Sequence, residues 1–194
     1  MLLCRSHHRF HSASKSTRRF YSPATLEQWI DSPKEQVLVD TLHKERLADL
    51  HITLPTRDGT RRPLHRPVHS EALGYGHHLV FFHPHRPETM LRPDGTEADF
   101  CPPQPFTRRM WAGGRITWNN AEPLLVGDKA EAKSVVASVD KKGFDVGKPM
   151  LFVNQDITYT KSGSSTPAIV ERRAHVYLPE TKTGHRTGVK RTGW

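Results

Sequence analysis

From residue 108 to residue 178 the sequence keeps to a period of two, and that rhythm limits the fold more than any other feature. In "RRMWAGGRITW", Met110, Ala112, Gly114, Ile116 and Trp118 fall on one face, and Trp111, Gly113, Arg115 and Thr117 on the other. "KAEAKSVVASV", residues 129–139, is a second, less polarised run; Leu151, Val153, Ile157 and Tyr159 alternate in a third. "KSGSST" then reads as a turn, after which Ala168 to Leu178 returns as a fourth run. Successive side chains on a strand point to opposite faces, so these runs predict strands, and the Gly- and Ser-rich turn predicts a hairpin. A sheet of this kind needs a cover for its apolar face. Leu38 or Val39, Leu42, Leu47 and Leu50 recur at near-helical spacing and predict a helix over about 34–50, with Thr25 or Ser32 as possible caps. The Pro, Arg and Gly of residues 51–70, including "RDGTRRP", read as a loop, and "RPDGTEADFCPP" as a turn around Asp94-Gly95. The expectation is an α+β fold, a helix followed by an antiparallel meander.

At 194 residues there is room for one ordinary domain with a real core. The net charge of +9 invites a nucleic-acid reading, but the charge sits at the ends. Arg5, Arg9, Lys15, Arg18 and Arg19 stand in residues 1–22 and Lys182, Arg186, Lys190 and Arg191 in residues 181–194, with no acid in either segment. The remaining 20 basic residues balance all 20 acids, so the body at 23–180 is formally neutral. Phosphate binding needs Lys and Arg clustered on one surface, and a neutral body argues against it. "MLLCRSHHRFHSASKSTRRFYS" is Arg- and Ser-rich and free of acids, with only "MLL" as an apolar stretch. That composition fits a mitochondrial transit peptide and lacks the h-region of a secretory signal. Arg19-Phe20-Tyr21 before Ser22 resembles a processing site. The division expected is therefore a transit peptide at 1–22, a folded body at 23–180 and a basic, disordered tail at 181–194. Cys4 and Cys101 match no zinc or redox spacing and fit a reducing compartment, and no apolar run approaches the roughly 18 residues that cross a membrane.

Ala112, Gly113 and Gly114 leave a dent in the first strand, between Trp111 and Ile116. Such a dent either admits another backbone, a helix end or a ligand, or is a bulge without function. "PFTRRMWAGG", preceded by "LGYGHHLVFFHP" and "RPDGTEADFCPPQ" and followed by "LLVGD", "SVDKKG", "LFV" and "VERRAHVY", resembles the N-terminal half of the mesaconyl-CoA hydratase and mitochondrial type 2 hydroxyacyl-thioester dehydratase family, which is MaoC-like. The resemblance covers about residues 26–180. It implies a single hot-dog fold, a curved antiparallel sheet wrapped on a helix; "GHHLVFF" is either a short form of that helix or, as Val80-Phe81-Phe82 read by composition, a strand. It implies a hydro-lyase that reversibly dehydrates 3-hydroxyacyl thioesters, in fatty-acid or short-chain CoA metabolism of the mitochondrial matrix, with an acyl-CoA or acyl carrier protein thioester as ligand and no cofactor. In the family an Asp or Asn followed five positions later by a His supplies the acid-base pair from a second hot dog. That spacing is absent here apart from Glu180 to His185 in the tail. Two explanations follow from the resemblance: a half-length member that forms a homodimer or pairs with a catalytic hot-dog chain, or a decayed or truncated copy that folds without activity. Two other classes stay open, a non-catalytic thioester-binding or assembly module and a basic component of an organellar RNA-protein complex.

His77, His78, His83 and His85 lie within nine residues, but no carboxylate or cysteine stands among them at ligand spacing, so no metal is expected. The resembling stretch of the family carries a histidine near His78, which implies packing against the acyl chain or the partner domain; the alternative is that these are plain core and loop histidines. Arg108 and Arg109 could offer paired donors to a CoA phosphate or an acyl carboxylate, or pair with Glu171 in the adjacent strand. The candidate substrate-binding or interface residues are His77, His78, Arg108, Arg109, Trp111, Gly113 and Gly114; no catalytic residue is identified.

Overall fold

The computed structural model describes residues 22–54 and 66–180. The proposed leader, the "RDGTRRP" loop and the basic tail, with the Glu180 to His185 spacing, lie outside the described residues or run into them.

Five strands form one antiparallel sheet: β1 (Glu35–Thr41), β2 (Arg108–Trp118), β3 (Lys129–Lys142), β4 (Met150–Lys161) and β5 (Ile169–Leu178). Their order is β1-β3-β4-β5-β2. The long connection between β1 and β2 carries the helix α2 (Lys44–Thr53) and two 3-10 turns, His77–Val80 and Glu88–Met90, and supplies the cover for the inner face; α1 (Pro23–Asp31) precedes β1. This is the expected single hot-dog fold. Of the two readings of "GHHLVFF" the structure takes the helical one: His77–Val80 forms a 3-10 turn, and Phe81 and Phe82 follow as buried residues outside any strand.

Three local expectations are corrected. The helix predicted over 34–50 is a strand followed by a helix. In Glu35–Thr41 burial alternates, with Val37 and Val39 outward, and β-branched residues at alternate positions favour pairing with β3 over helix. The helical spacing resumes only at Lys44, where α2 buries Leu47. A second helix lies upstream, α1, capped by the Ser22 hydroxyl, which accepts from the Thr25 N–H at 3.4 Å, with Pro23 in the first turn. The meander holds for β3, β4 and β5, but β2 does not lie beside β3: it crosses to pair with β5 along its whole length. Finally, the alternation of β2 is interrupted by a bulge between Trp111 and Gly113, with Ala112 as the extra residue.

The inner face of the sheet has two apolar ends. At one end Ala130 and Ala132 of β3 and Ile157 and Tyr159 of β4 pack with Leu42, Leu47, Phe81 and Phe82. At the other, Leu151 and Val153 of β4 and Tyr177 of β5 pack with Leu26 of α1 and Phe106.

Candidate functional site

Between the two apolar ends, four neighbouring strands each place a polar side chain at a core position. Gln36 of β1 lies opposite Ser134 of β3, and Gln155 of β4 lies opposite Arg173 of β5. Ser134 and Gln155 are buried. Leaving such positions polar forgoes roughly 1.5–3 kcal/mol of apolar burial at each. A band of this kind across a core persists where it meets a ligand or a polar network.

A cleft of about 230 Å³ opens over the band. Its walls are the turn that carries His78, Phe82 and His83, the loop that carries Glu97, Asp99 and Phe100, and Arg109 of β2 beside His175 of β5. Phe82 and Phe100 both adopt left-handed backbone, at φ +60° and +59°. Bulky residues rarely do so, and the strain is held at the cleft by packing and by the Asp40 carboxylate, which accepts from the Phe82 N–H at 3.1 Å.

One carboxylate anchors the floor. Glu171 is 3% exposed and accepts from the Tyr159 hydroxyl at 2.9 Å and from Arg173 Nε and Nη2 at 2.5 and 2.9 Å. His78, 0% exposed, stands with Nε2 at 3.9 Å from the same carboxylate, too far for a hydrogen bond, and packs edge-on against Tyr159. Burial works to raise the Glu171 pKa, but His78, the Arg173 bonds and the Tyr159 hydroxyl overcome it and bring the carboxyl down to about 2. Burial raises the Tyr159 hydroxyl pKa, and the neighbouring Glu171 charge adds to it. This floor is thus an ion pair with a neutral phenol donating into it.

A second network closes the opposite wall. Asp99 accepts from Gln36 Nε2 at 2.8 Å and from Arg86 Nη2 at 3.0 Å, and Arg86 Nε reaches Glu97 at 3.4 Å. Gln36 therefore ties the polar band to the loop wall. Across from it, burial and then the charges of Arg109 and Arg173 lower the His175 pKa, which keeps the imidazole neutral near pH 7.

Of the residues singled out in the sequence, His78 and Arg109 line the cleft. His77 packs instead on His51, with ring centroids 5.2 Å apart, and Arg108 is exposed outside the cleft. Trp111, Gly113 and Gly114 do not line it either. Trp111 backs it, with its ring edge-on to His175 at 5.5 Å. The ion pair considered between Glu171 and Arg108 or Arg109 is made by Arg173. Ser134, Gln155, Arg173 and His175 escaped the sequence reading. Their signal was present as polar residues in phase with apolar ones on alternating strands, but phase alone could not say that three neighbouring strands bring them to one cleft.

A family model for hydroxyacyl-thioester dehydratase type 2 matches residues 76–192, more than half of the chain. The chain belongs to this dehydratase family. Every residue that lines the cleft, apart from Gln36 and Leu38, falls within the family match. The mesaconyl-C(4)-CoA hydratase of Chloroflexus aurantiacus is 32% identical over 109 residues, which is 47% of this chain and 38% of that protein. The chain thus spans well under half the length of that curated relative. In outline the fold is similar to a chain of the ChsH1-ChsH2 complex of Mycobacterium tuberculosis, with a TM-score of 0.47 and 12% identity over 82% of this chain and 93% of that one. It is also similar to a MaoC-like dehydratase of Rhodospirillum rubrum, at 0.41 and 10% over 77% and 92%. Both are distant, and the fold description rests on the strand order and the family match.

Proposed function

We propose that the cleft binds the acyl end of a CoA or acyl carrier protein thioester, and that the protein serves the reversible dehydration of 3-hydroxyacyl thioesters as one half of a catalytic pair. The observation that carries this reading is the coincidence of the family match with the cleft walls. The reaction needs a base for the proton beside the carbonyl, an acid for the leaving hydroxyl and donors for the enolate oxygen. Donors are present in Arg109, Gln155 and Ser134. The carboxylates are engaged elsewhere: Glu171 is clamped by Arg173, and Glu97 and Asp99 by Arg86. That favours a second hot-dog chain as the source of the acid-base pair, or a second copy of this one.

The place for such a partner is the outer edge of β2, the last strand in the sheet order. An edge strand presents unpaired backbone groups, and here Met110 and Trp111 are 51% and 59% exposed beside them. The purified chain is expected to elute as a dimer, to bind crotonyl-CoA, and to hydrate it near the background rate. Light scattering after size exclusion, calorimetry and loss of enoyl absorbance measure the three. Vigorous turnover by the chain alone would overturn the division of labour. Absence of crotonyl-CoA binding would overturn the thioester reading itself. Binding without turnover in the presence of a competent hot-dog partner would favour a non-catalytic binding module.

The mitochondrial address rests on the composition of the first 21 residues. Mass spectrometry of the mature protein from purified mitochondria should find a new N-terminus near Ser22. Intact Met1 in the organelle-free fraction would exclude it.

A further inference from the structure

The two edges of the sheet are built differently. β2 carries a bulge at Ala112 and the charges of Arg108 and Arg115, which restrict what can pair with it. β1 has no such guard. Its middle is Val37-Leu38-Val39, with no bulge, proline or basic residue in the strand, and Val37 and Val39 are 45% and 55% exposed.

The backbone on that side is unpaired. The Val136 N–H donates to the Lys34 carbonyl at 3.2 Å and the Leu42 N–H to the Asp128 carbonyl at 2.8 Å, so the even-numbered residues of β1 bond to β3. Bonded and non-bonded sides alternate along an antiparallel ladder, which turns the N–H and C=O of Val37 and Val39 away from β3. These groups have no hydrogen-bond partner among the described residues. Three apolar residues in a row with free backbone groups form a template for one more strand.

The pattern of side chains indicates which strand fits. Glu35, Val37, Val39 and Thr41 share the outer face of the sheet, where Val39 and Thr41 stand beside Glu131 and Lys129 of β3. A second β1 laid antiparallel has to match odd-numbered residues with odd ones, so its two-fold axis passes through Val37, Leu38 or Val39. With the axis at Leu38, Val37 faces the copy's Val39 and Glu35 faces the copy's Thr41. Beyond that threonine comes the copy's Lys129, two strand spacings or about 9.6 Å from Glu35 between backbones, a gap that two long side chains of opposite charge close. With the axis at Val37, the copy's Glu131 takes that place and like charges meet. With the axis at Val39, the Glu131 residues of both copies confront each other across the valines. Like charges so placed are destabilising, and only the Leu38 axis avoids them.

We propose that two copies of this chain join antiparallel through β1, with Leu38 on the two-fold axis. Each Val37–Val39 pair then exchanges both N–H···O=C bonds, the valines of the two copies cover one another, and one sheet runs through both subunits. β2 stays free for a catalytic hot-dog chain, so this contact is separate from the one proposed for the catalytic pair.

The test uses the purified full chain, Val39→Lys at this edge and Met110→Lys at the β2 edge, each followed by light scattering after size exclusion over a concentration series. The parent and Met110→Lys are expected to be dimers, and Val39→Lys to raise the dimer dissociation constant at least about tenfold. The axis is read by cysteine variants under mild oxidation. Leu38→Cys should give a covalent dimer, because residues facing each other at a non-bonded antiparallel position lie about 4.5 Å apart between Cα atoms, within disulfide range. Peptide mapping by mass spectrometry should find the bond at position 38 of both chains. A bond formed through Val37→Cys or Val39→Cys in place of Leu38→Cys overturns the proposed axis. A monomeric parent, or a dimer that Met110→Lys breaks and Val39→Lys leaves intact, overturns the β1 contact altogether. Neither result touches the thioester reading, which crotonyl-CoA binding decides by itself. A thermal melt accompanies each variant, and should Val39→Lys not fold, the mapped Leu38→Cys bond still decides.

Discussion

Replacing Glu171 by Gln is expected to destabilise the fold by about 3 kcal/mol, the low end of what breaking a buried pair costs, and so to lower its melting temperature by roughly 10 °C. The exchange preserves shape but removes the charge that Arg173, Tyr159 and His78 all face. Arg173 would be left without its carboxylate partner, its side chain 29% exposed and therefore partly relieved by water. That partial exposure is why the low end is expected. Replacing Glu171 and Arg173 together by Met should cost less than Glu171→Gln alone, because no orphaned charge remains.

The same carboxyl gives the effect a pH signature. Its folded pKa of about 2 lies below the ordinary value of 4.5, so its stabilising contribution is complete above pH 4.5 and is lost as the pH falls toward 2. The difference in stability between the parent and Glu171→Gln should therefore be constant near neutrality and shrink between pH 4.5 and 2. His175 has its own window. With its folded pKa lowered, it contributes stability above about 6.5 that is lost as the pH falls below that value, in parent and variant alike. Urea melts at a series of pH values separate the two. A difference that stayed constant down to pH 2 would show that Glu171 is not held ionised by its neighbours.

This cluster also shows where the sequence stops being informative. The alternation of β3, β4 and β5 was legible because each strand carries small or apolar residues every second place on the buried side. Strand order was not: β2 reads equally well beside β3 or β5, and which edge it joins depends on the long connection that covers the inner face. β1 was hidden because Leu38, Leu42 and Leu47 satisfy helical spacing across a boundary at which the chain changes from strand to helix. Of the site, His78 was singled out from the histidine cluster and the family's pattern near it, and Arg109 for the paired donors of its guanidinium; both line one cleft. His77 and Arg108 were paired with them by adjacency, yet neighbours along a turn or a strand point in different directions. Gln36 and Asp99 meet across a separation of 63 residues, which no local pattern encodes.

Gly114→Val is the second change with a large expected effect, and it shows what the glycine pair in β2 is for. A Cβ at Gly114 would lie 2.8 Å from Trp111 Cζ2 and 2.9 Å from the Arg172 carbonyl oxygen on β5. The indole can swing away, but the carbonyl belongs to the neighbouring strand and can retreat only if the β2–β5 ladder opens. Gly113 differs: a Cβ there meets nothing within 4 Å, and the obstacle is its φ of +155°, beside the bulge. What approaches the dent is thus the strand's own Trp111, folded back across Gly114 by the bulge, together with the β5 backbone. Gly114→Val should cost about 1–3 kcal/mol through overpacking, Gly113→Val less, and Arg115→Ala, an exposed position, within about 0.5 kcal/mol of the parent. Because Trp111 backs His175, displacing its ring should also loosen the cleft wall, so Gly114→Val is expected to weaken crotonyl-CoA binding more than Gly113→Val does at a temperature where both are folded. Thermal melts and calorimetry on the three variants measure this. A Gly114→Val protein that melts with the parent would mean that the ladder yields without cost, and unchanged thioester binding in a destabilised Gly114→Val would mean that Trp111 supports the strand and not the cleft.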